Sequence, residues 1–344
     1  MIQVVSRLLF PPTDYMIRLD SFKLKLPDDC LRDYDINKLK TSTEVFQGRT
    51  VKDVRYVSNP ALGVKSITHN LLTKELILEG SAKALKDQYF DLININTVER
   101  LFGSFNDTSC ITLDIGKAVE QAELLRVDTT QNLRLPESGI TYVNSLNHVR
   151  LDVKYQVEPY RKNDNTGIVF MGKQTSFKER QVFYDKLLDV RKDKDLIKAV
   201  GYSNLERQFT GVLRAESNFT KLSKIRDYCG GSTNLLQVLK SRSTPNYSIF
   251  KKITNRYTSI PLFEDYDDSV KLMDIEKLEG RKKIVKDLGY DLDLIYQFID
   301  SKVKGGNGRY KKQYREVVAN ELSGTSIVTI NSHLQQIEAQ LQVA

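Results

Sequence analysis

The chain has 344 residues, of which 40% are hydrophobic and 28% are charged, a globular composition that excludes a chain disordered throughout. Lysine and arginine exceed aspartate and glutamate by 52 to 44, and the net charge of +8 favours a polyanionic partner such as nucleic acid. The length is sufficient for two domains.

The three cysteines, Cys30, Cys110 and Cys229, lie far apart in the sequence. None of them has metal-knuckle spacing, and an odd number argues against a disulfide framework, so a reducing cytoplasm is the expected location. The first residues lack the apolar core of a signal peptide, and no apolar run approaches the roughly 20 residues of a spanning helix. We expect no membrane partner.

From residue 20 to about 220 the pattern is mainly of strands joined by turns, with alternating polar and apolar residues at 21–27 and β-branched residues at 126–133. In chain order, the predicted strands are 21–27, 74–80, 126–133, 149–157, 167–172, 180–186 and 211–219. Helical composition is found at 81–90, 116–125 and 187–200. Past Gly230-Gly231, apolar residues recur at helical spacing.

This order of elements predicts an α+β fold, in which a mainly antiparallel sheet with flanking helices precedes a smaller helical C-terminal domain. We place the boundary at the glycine pair, with residues 1–230 as a catalytic domain and 231–344 as a mainly helical one. The helical domain is a candidate for contact with DNA or with a helicase.

Two strands each carry an arginine two residues before a carboxylate. Arg126 precedes Asp128 and Arg214 precedes Glu216, and residues at this spacing share one strand face. If the strands are neighbours, their carboxylates suit Mg²⁺ or Mn²⁺ and their guanidinium groups suit a phosphodiester. The alternative is a pair of surface salt bridges.

The segment RQVFYDK places Tyr184 and Lys186 on one predicted strand face, with Arg180 four residues before the tyrosine. Because the ordinary pKa of tyrosine is about 10, a nucleophilic tyrosine needs a nearby cation or metal ion to lose its proton. The alternative is a packing residue, since the chain has 17 tyrosines.

Three other patterns are weaker. Residues 167–173 have the spacing of a phosphate-binding loop, but their composition is that of a strand. Tyr310 and Tyr314 lie one helical turn apart, as in two-tyrosine nicking enzymes, yet the chain lacks the histidine pair that those enzymes carry. Around these tyrosines runs a basic stretch that includes Lys311 and Lys312 and suits phosphate contact, or forms a solvated helix face.

In this order, the segments LILEGSAKAL, LLRVDTTQ, QVFYDKLLD and GVLRAESNF resemble the gene II replication initiators of filamentous phages and the wider replication-initiation-factor family, which includes many plasmid initiators. The resemblance covers about residues 20–230. It implies cleavage of one strand at a double-strand origin, leaving a 5′-phosphotyrosine and a free 3′-hydroxyl for a host polymerase.

Carried over to this sequence, the resemblance makes Tyr184 the nucleophile with Lys186 beside it, and Asp128 and Glu216 the ligands of Mg²⁺ or Mn²⁺. It also gives Asp189 as the acidic residue after the Tyr-x-Lys motif. The implied DNA contacts are Lys83, Lys173, Ser176 and Arg180.

We therefore expect a rolling-circle initiator that binds double-stranded and single-stranded origin DNA. A separate host helicase would unwind the DNA, because the chain has no convincing nucleotide-binding loop, and a homodimer is an open arrangement. The alternatives are a conjugative relaxase, which uses the same chemistry, and a non-enzymatic origin-binding or regulatory protein whose carboxylates only brace arginines.

Overall fold

A computed structural model describes residues 16–342, apart from 48, 148, 150, 162–163, 174–178, 255–270 and 324–326. Within these residues, ten strands form one antiparallel sheet: β1 (Leu19–Pro27), β3 (Lys40–Phe46), β4 (Arg49–Ala61), β5 (Val64–Asn70), β6 (Glu75–Ser81), β8 (Glu123–Arg134), β9 (Tyr155–Arg161), β10 (Asp164–Gly172), β11 (Arg180–Asp185) and β12 (Val212–Phe219). Their order across the sheet is β3-β4-β5-β6-β1-β8-β12-β11-β10-β9. The strands β2 (Leu31–Tyr34) and β7 (Ile111–Leu113) pair separately.

The helices of the described chain are α1 (Val98–Asn106), α2 (Ile115–Gln121), α3 (Gly139–Asn147), α4 (Lys186–Val190), α5 (Lys194–Val200), α6 (Tyr202–Phe209), α7 (Leu222–Tyr228), α8 (Leu235–Leu239), α9 (Pro245–Thr254), α10 (Leu272–Asp287), α11 (Leu292–Lys302), α12 (Asn307–Ser323) and α13 (Ile327–Gln342). Short 3₁₀ helices span Asp28–Cys30, Ile36–Lys38 and Ala82–Asp91. In the part of the chain that the structure describes, no helix has the length and apolar character to cross a membrane.

The predicted α+β class is confirmed, with its antiparallel sheet and helical C-terminal region. Contacts divide the chain into two compact units, Met1–Thr258 with Gln335–Ala344, and Ser259–Leu334. The second unit packs α10, α11 and α12 around a small apolar core that includes Val285, Ile295 and Ile299. The division into catalytic and helical parts at residue 230 stays a prediction, since it concerns function rather than compactness.

Some predicted element boundaries are wrong, and capping explains one of them. The segment 187–200 forms two helices rather than one, because the Asp193 side chain accepts a hydrogen bond from the Leu196 backbone N–H and starts α5. The helix predicted over 116–125 ends at Gln121, where β8 follows almost at once. The strand predicted over 149–157 begins only at Tyr155.

The two faces of the central strands β8, β12 and β11 differ in chemistry, because successive side chains of a strand alternate between faces. Phe183 and Ala215 lie on one face, where the Phe250 ring of α9 approaches Phe183 to 5.8 Å. The other face, here called the polar face, carries Arg126, Asp128, Arg214, Glu216 and Tyr184. The candidate site lies on this polar face.

Candidate nucleic-acid cleavage site

The two arginine-carboxylate strands lie side by side in the sheet. The strands β8 and β12 are antiparallel neighbours, in which Thr130 opposes Glu216 and Asp128 opposes Asn218. Because opposed residues point to the same face, Asp128 and Glu216 are diagonal neighbours on the polar face, with backbone positions about 7 to 8 Å apart. This separation allows both side chains to approach one ligand.

Tyr184 lies on β11, where it opposes Arg214 of β12. The tyrosine hydroxyl donates a hydrogen bond of 2.5 Å to Glu216 Oε1. Tyr184 is only 2% exposed, since the Tyr160 ring stacks on its own ring at a centroid distance of 4.6 Å. The structure therefore brings the predicted nucleophile into direct contact with one predicted carboxylate.

The strand β10 makes room for this tyrosine pair at Gly167, which opposes Tyr184. A Cβ atom at Gly167 would lie 2.4 Å from the Tyr184 Cβ atom and 3.0 Å from the Tyr160 Cβ atom, so any side chain at this position would force its neighbours to shift. The glycine that opens GIVFMG thus permits close packing of two tyrosines. The segment is a strand and not a phosphate-binding loop.

The sequence pattern predicted that Lys186 and Tyr184 share a strand face, and this prediction is wrong. The strand ends at Asp185, whose side chain accepts a hydrogen bond from the Leu188 backbone N–H and begins α4 at Lys186. The lysine Nζ nevertheless reaches the Tyr184 hydroxyl at 3.4 Å and Asp189 Oδ2 at 2.9 Å. The two predicted residues meet through a helix start rather than through strand periodicity.

Arg214 is fully buried at the centre of the site. Its Nη1 atom donates to Asp20 Oδ1 at 2.9 Å and to the Tyr89 hydroxyl at 3.3 Å, and it lies 3.9 Å from Glu216 Oε1. Its Nε atom donates to Asn132 Oδ1 at 2.8 Å. Its Nη2 atom is buried with no hydrogen-bond partner among the described residues.

Burial and charge set the protonation of these groups. Burial, followed by the negative charge of Asp20, raises the pKa of Glu216 to about 7, although Arg214 and Lys186 oppose this shift. Burial also raises the pKa of Tyr184 well above its usual value, and the charge of Glu216 adds to the effect. Burial lowers the pKa of Lys186, but Tyr89, Asp189 and Asp20 outweigh it, and the net shift is upward.

The site's oxygen donors suit Mg²⁺ or Mn²⁺ in chemical type. Asp20 and Glu216 both approach Arg214 Nη1, while Asp128 accepts hydrogen bonds from Ser21 and Asn218 on the same face. Among the described residues, however, no group of three or more histidine, cysteine, aspartate or glutamate side chains is arranged to hold a metal ion. The donors fit the predicted metal in type, and its binding stays a prediction.

The remaining candidates are spread more widely. Arg126 pairs with Glu79 at 3.3 Å, and its Nε atom is buried with no partner among the described residues. Lys83 pairs with Asp193 and borders a surface cleft of about 380 Å³ that Arg161 and Asp189 also line.

Other predicted DNA contacts lie at the surface. Lys173 follows β10, and Arg180 begins β11, and both are exposed. Lys312 is exposed on α12 in the second unit, where Lys311 pairs with Asp300 at 2.7 Å. Ser176 lies outside the described residues.

Sequence reasoning missed three residues of the site, namely Asp20, Tyr89 and Tyr160. Asp20 falls where the pairing of β1 with β8 shifts register between Leu19 and Ser21, and such a bulge can turn a side chain towards a neighbouring strand. Tyr89 comes from a 3₁₀ helix and Tyr160 from β9, and neither stands in a local pattern that marks it.

Comparison with known proteins adds no family to this geometry: no protein-family model matches the chain, and no curated protein matches it.

Proposed function

We propose that the chain initiates rolling-circle DNA replication by nicking one origin strand with Tyr184 as the nucleophile. The observation that carries the proposal is the partly buried hydrogen bond of 2.5 Å from the Tyr184 hydroxyl to Glu216, flanked by the cationic side chains of Lys186 and Arg214. A tyrosine that attacks phosphorus needs a proton acceptor beside its hydroxyl and cations that offset the developing negative charge, and Glu216, Lys186 and Arg214 can supply both.

In the proposed step, the Tyr184 oxygen attacks the phosphorus atom in line, and the bond from phosphorus to the 3′ oxygen breaks. Glu216 accepts the tyrosine proton, which can then pass to the departing 3′ oxygen. Lys186, 3.4 Å from the tyrosine oxygen, offsets negative charge on it, and the unpartnered Nη2 of Arg214 is available to a phosphate oxygen. The products are a 5′-phosphotyrosine and a free 3′-hydroxyl, and a strand end can later reverse the reaction.

A divalent cation, when bound by Asp128 and Glu216, would supply further charge neutralisation at the phosphate. Burial and the charge of Asp20 raise the pKa of Glu216 to about 7. A bound cation would offset the repulsion between these two carboxylates, which supports Glu216 as a ligand.

The burial of Tyr184 sets a condition on the proposal. At 2% exposure, the tyrosine oxygen cannot meet a phosphate unless a covering group moves. Tyr160 is that group in our proposal, since its ring lies flat on Tyr184 and β9 is the last strand at its edge of the sheet. Its ring would then be free to stack on a base of the bound strand.

In the cell, we place this reaction in the cytoplasm, where a host polymerase extends the 3′-hydroxyl and a host helicase separates the strands. The second candidate is a non-enzymatic origin-binding protein. The burial and raised pKa of Tyr184 favour that candidate, because both oppose a reactive phenolate.

The two candidates differ in one assay. Supercoiled DNA of the replicon that encodes the chain is incubated with the protein and Mn²⁺, and nicked circles are examined for covalently attached protein. We expect the adduct with the wild-type chain, its loss in Tyr184→Phe and its retention in Tyr310→Phe, which alters an exposed tyrosine of α12. An adduct that persists in Tyr184→Phe contradicts the assignment, and DNA binding with no adduct from any variant supports the non-enzymatic candidate.

A further inference from the structure

The hairpin of β3 and β4 extends beyond the rest of the sheet. The strand β5 pairs with β4 only from Val54 to Ala61, whereas β3 pairs with β4 as far as the turn, where Phe46 opposes Arg49. Among the described residues, no third strand therefore lies beside the two strands from Thr43 to Phe46. At about 3.3 Å per residue, this ribbon (residues 43–53) is roughly 13 Å long.

The tip of the ribbon exposes apolar side chains. Val45 and Phe46 are each 64% exposed, and Val51 is 55% exposed. A free two-stranded ribbon gains little stability from its own contacts, and apolar side chains at its end add surface that water disfavours. Exposed apolar groups clustered at one projecting tip are typical of a contact surface.

Charge indicates the partner of this surface. Between residues 38 and 55 the acidic side chains are Glu44 and Asp53, and the basic side chains are Lys38, Lys40, Arg49, Lys52 and Arg55. Glu44 and Lys52 pair at 2.5 Å and cancel each other, and residues 38–55 together carry a net charge of +3. An apolar tip on a basic stem complements a polyanion that also offers apolar atoms, and DNA presents phosphates beside thymine methyl groups.

The dimensions favour the major groove of a duplex. This groove is about 12 Å wide and 8.5 Å deep and accepts a two-stranded β-ribbon, whereas the minor groove, about 6 Å wide, is too narrow without deformation of the DNA. We propose that the β3-β4 ribbon is an arm that enters the major groove of duplex DNA next to the strand that is cut. Arg49 and Lys52 contact phosphates or base edges, and Val45 and Phe46 contact apolar base atoms. This inference rests on the proposed function only in taking DNA as the substrate.

A second copy of the chain is the competing occupant, because β3 is an edge strand and edge strands can pair with one another. Lys40 on β3 and the net charge of +3 over residues 38–55 oppose that pairing, since two like-charged hairpins would meet. We therefore favour DNA, and the oligomeric state is measured as part of the test.

The decisive variant shortens the ribbon. Replacing residues 44–52 by an Asn-Gly turn joins Thr43 to Asp53, which already oppose each other, and leaves the pairing of β4 with β5 intact. Binding is measured by fluorescence anisotropy on a labelled duplex of mixed sequence, about three helical turns long. We expect the shortened chain to bind this duplex at least about tenfold more weakly, and its salt dependence to decrease by about two counterions.

Two milder variants guard against a folding defect. Phe46→Ser should weaken duplex binding about threefold to tenfold, and Arg49→Gln with Lys52→Gln should lower the salt dependence by about two counterions. The matched controls are Leu72→Ser, an exposed apolar residue on a different turn, and Lys198→Gln with Arg207→Gln, which removes the same charge from α5 and α6. Both controls should bind duplex as the wild type does.

Adduct formation is measured in parallel on single-stranded DNA of the sequence that the wild-type chain nicks, and the ribbon variants should retain it. If they bind duplex as tightly as the wild type, the arm is refuted even where the adduct forms. If they lose duplex binding while no variant forms an adduct, the arm stands and the proposed nicking fails. A wild-type dimer that shortening converts to a monomer with unchanged duplex affinity identifies a second copy as the occupant and overturns the proposal.

Discussion

Two buried clusters of this protein contain the same kinds of side chain and differ in their balance of charge. In one, Glu179 accepts hydrogen bonds from Tyr155 at 2.7 Å and from Lys252 at 2.7 Å, and Lys224 lies 3.1 Å away. In the other, Glu216 accepts from Tyr184 at 2.5 Å, with Arg214 at 3.9 Å.

The carboxylates of the two clusters shift in opposite directions. Burial opposes charge on both, but hydrogen bonds from Lys252, Tyr155 and Lys224 lower the pKa of Glu179 to about 2. Burial and Asp20 instead raise the pKa of Glu216 to about 7. The Glu179 cluster is thus a satisfied structural contact. In the Glu216 cluster, Asp20 and Glu216 share Arg214, and one Arg214 donor has no partner among the described residues, as at a site that binds a charged ligand.

The sharpest contrast between the clusters is expected from their tyrosines. Tyr184→Phe removes the proposed nucleophile and should lower covalent adduct formation by at least about 10³-fold. Tyr155→Phe removes a hydroxyl that hydrogen-bonds Glu179, so it should leave the adduct rate within about twofold and reduce the free energy of unfolding by about 1 kcal/mol. Adduct yield on origin DNA and urea unfolding test the pair. Equal losses of adduct in both variants would remove the distinction between the clusters.

A second test concerns stability. Glu179→Gln leaves Lys224 and Lys252 without their carboxylate, and it should reduce the free energy of unfolding at pH 7 by about 3 kcal/mol, the lower end for a broken buried pair because both lysines are partly exposed. Urea denaturation measures this change. A loss below about 1 kcal/mol would show that Glu179 does not hold α7 and α9 in the way the contacts indicate.

The same substitution in the other cluster should have the opposite sign. The pKa of Glu216 is about 7 in the folded chain, and its ordinary value is 4.5. The folded state therefore favours the protonated carboxyl group, and the stability that this group contributes is complete below pH 4.5 and is lost as the pH rises through 7. Glu216→Gln removes this loss and should stabilise the chain at pH 8 by roughly 2 kcal/mol, less than the shift alone would give because the buried amide still needs partners. Unfolding at pH 5 and pH 8 checks the sign, which a variant destabilised equally at both would contradict.

The sequence was sufficient to predict the central strands of the site, but not the positions of Lys186 and Asp20. Local residue patterns, such as the β-branched residues of 126–133, were sufficient to predict β8 and β12, and their pairing then brought Asp128 and Glu216 onto one face. Alternation could not predict Lys186, because the Asp185 cap replaces the strand by a helix at that residue. It also could not predict Asp20, which depends on a register shift that only the paired strands define.

Neither cluster could be ranked above the other from sequence, since each is one tyrosine, one glutamate and basic side chains brought together from distant segments. Burial raises the pKa of both glutamates, and the shifts become opposite because Lys252, Tyr155 and Lys224 hydrogen-bond Glu179 whereas Asp20 adds repulsion at Glu216. These neighbours are set by the assembled sheet and its helices. The arginine two residues before Glu216, together with the family resemblance, directed attention to that glutamate.

The smallest expected effect concerns β10, the strand that lies between the strands of Tyr184 and Tyr155. Gly167 and Gly172 stand at opposite positions to Tyr184 and Tyr155, so each cluster tyrosine faces a glycine of β10. Gly167→Ala would place a Cβ atom 2.4 Å from that of Tyr184, and the required displacement should cost about 1 to 2 kcal/mol and slow adduct formation, because an in-line attack tolerates little misplacement. Gly103→Ala is the matched control, since a Cβ atom there meets nothing within 4 Å on α1 and should leave stability unchanged or slightly raised. If Gly167→Ala keeps the wild-type adduct rate while unfolding more easily, the position of Tyr184 in the folded chain is not what limits its reaction, and the movement of Tyr160 becomes the step to measure.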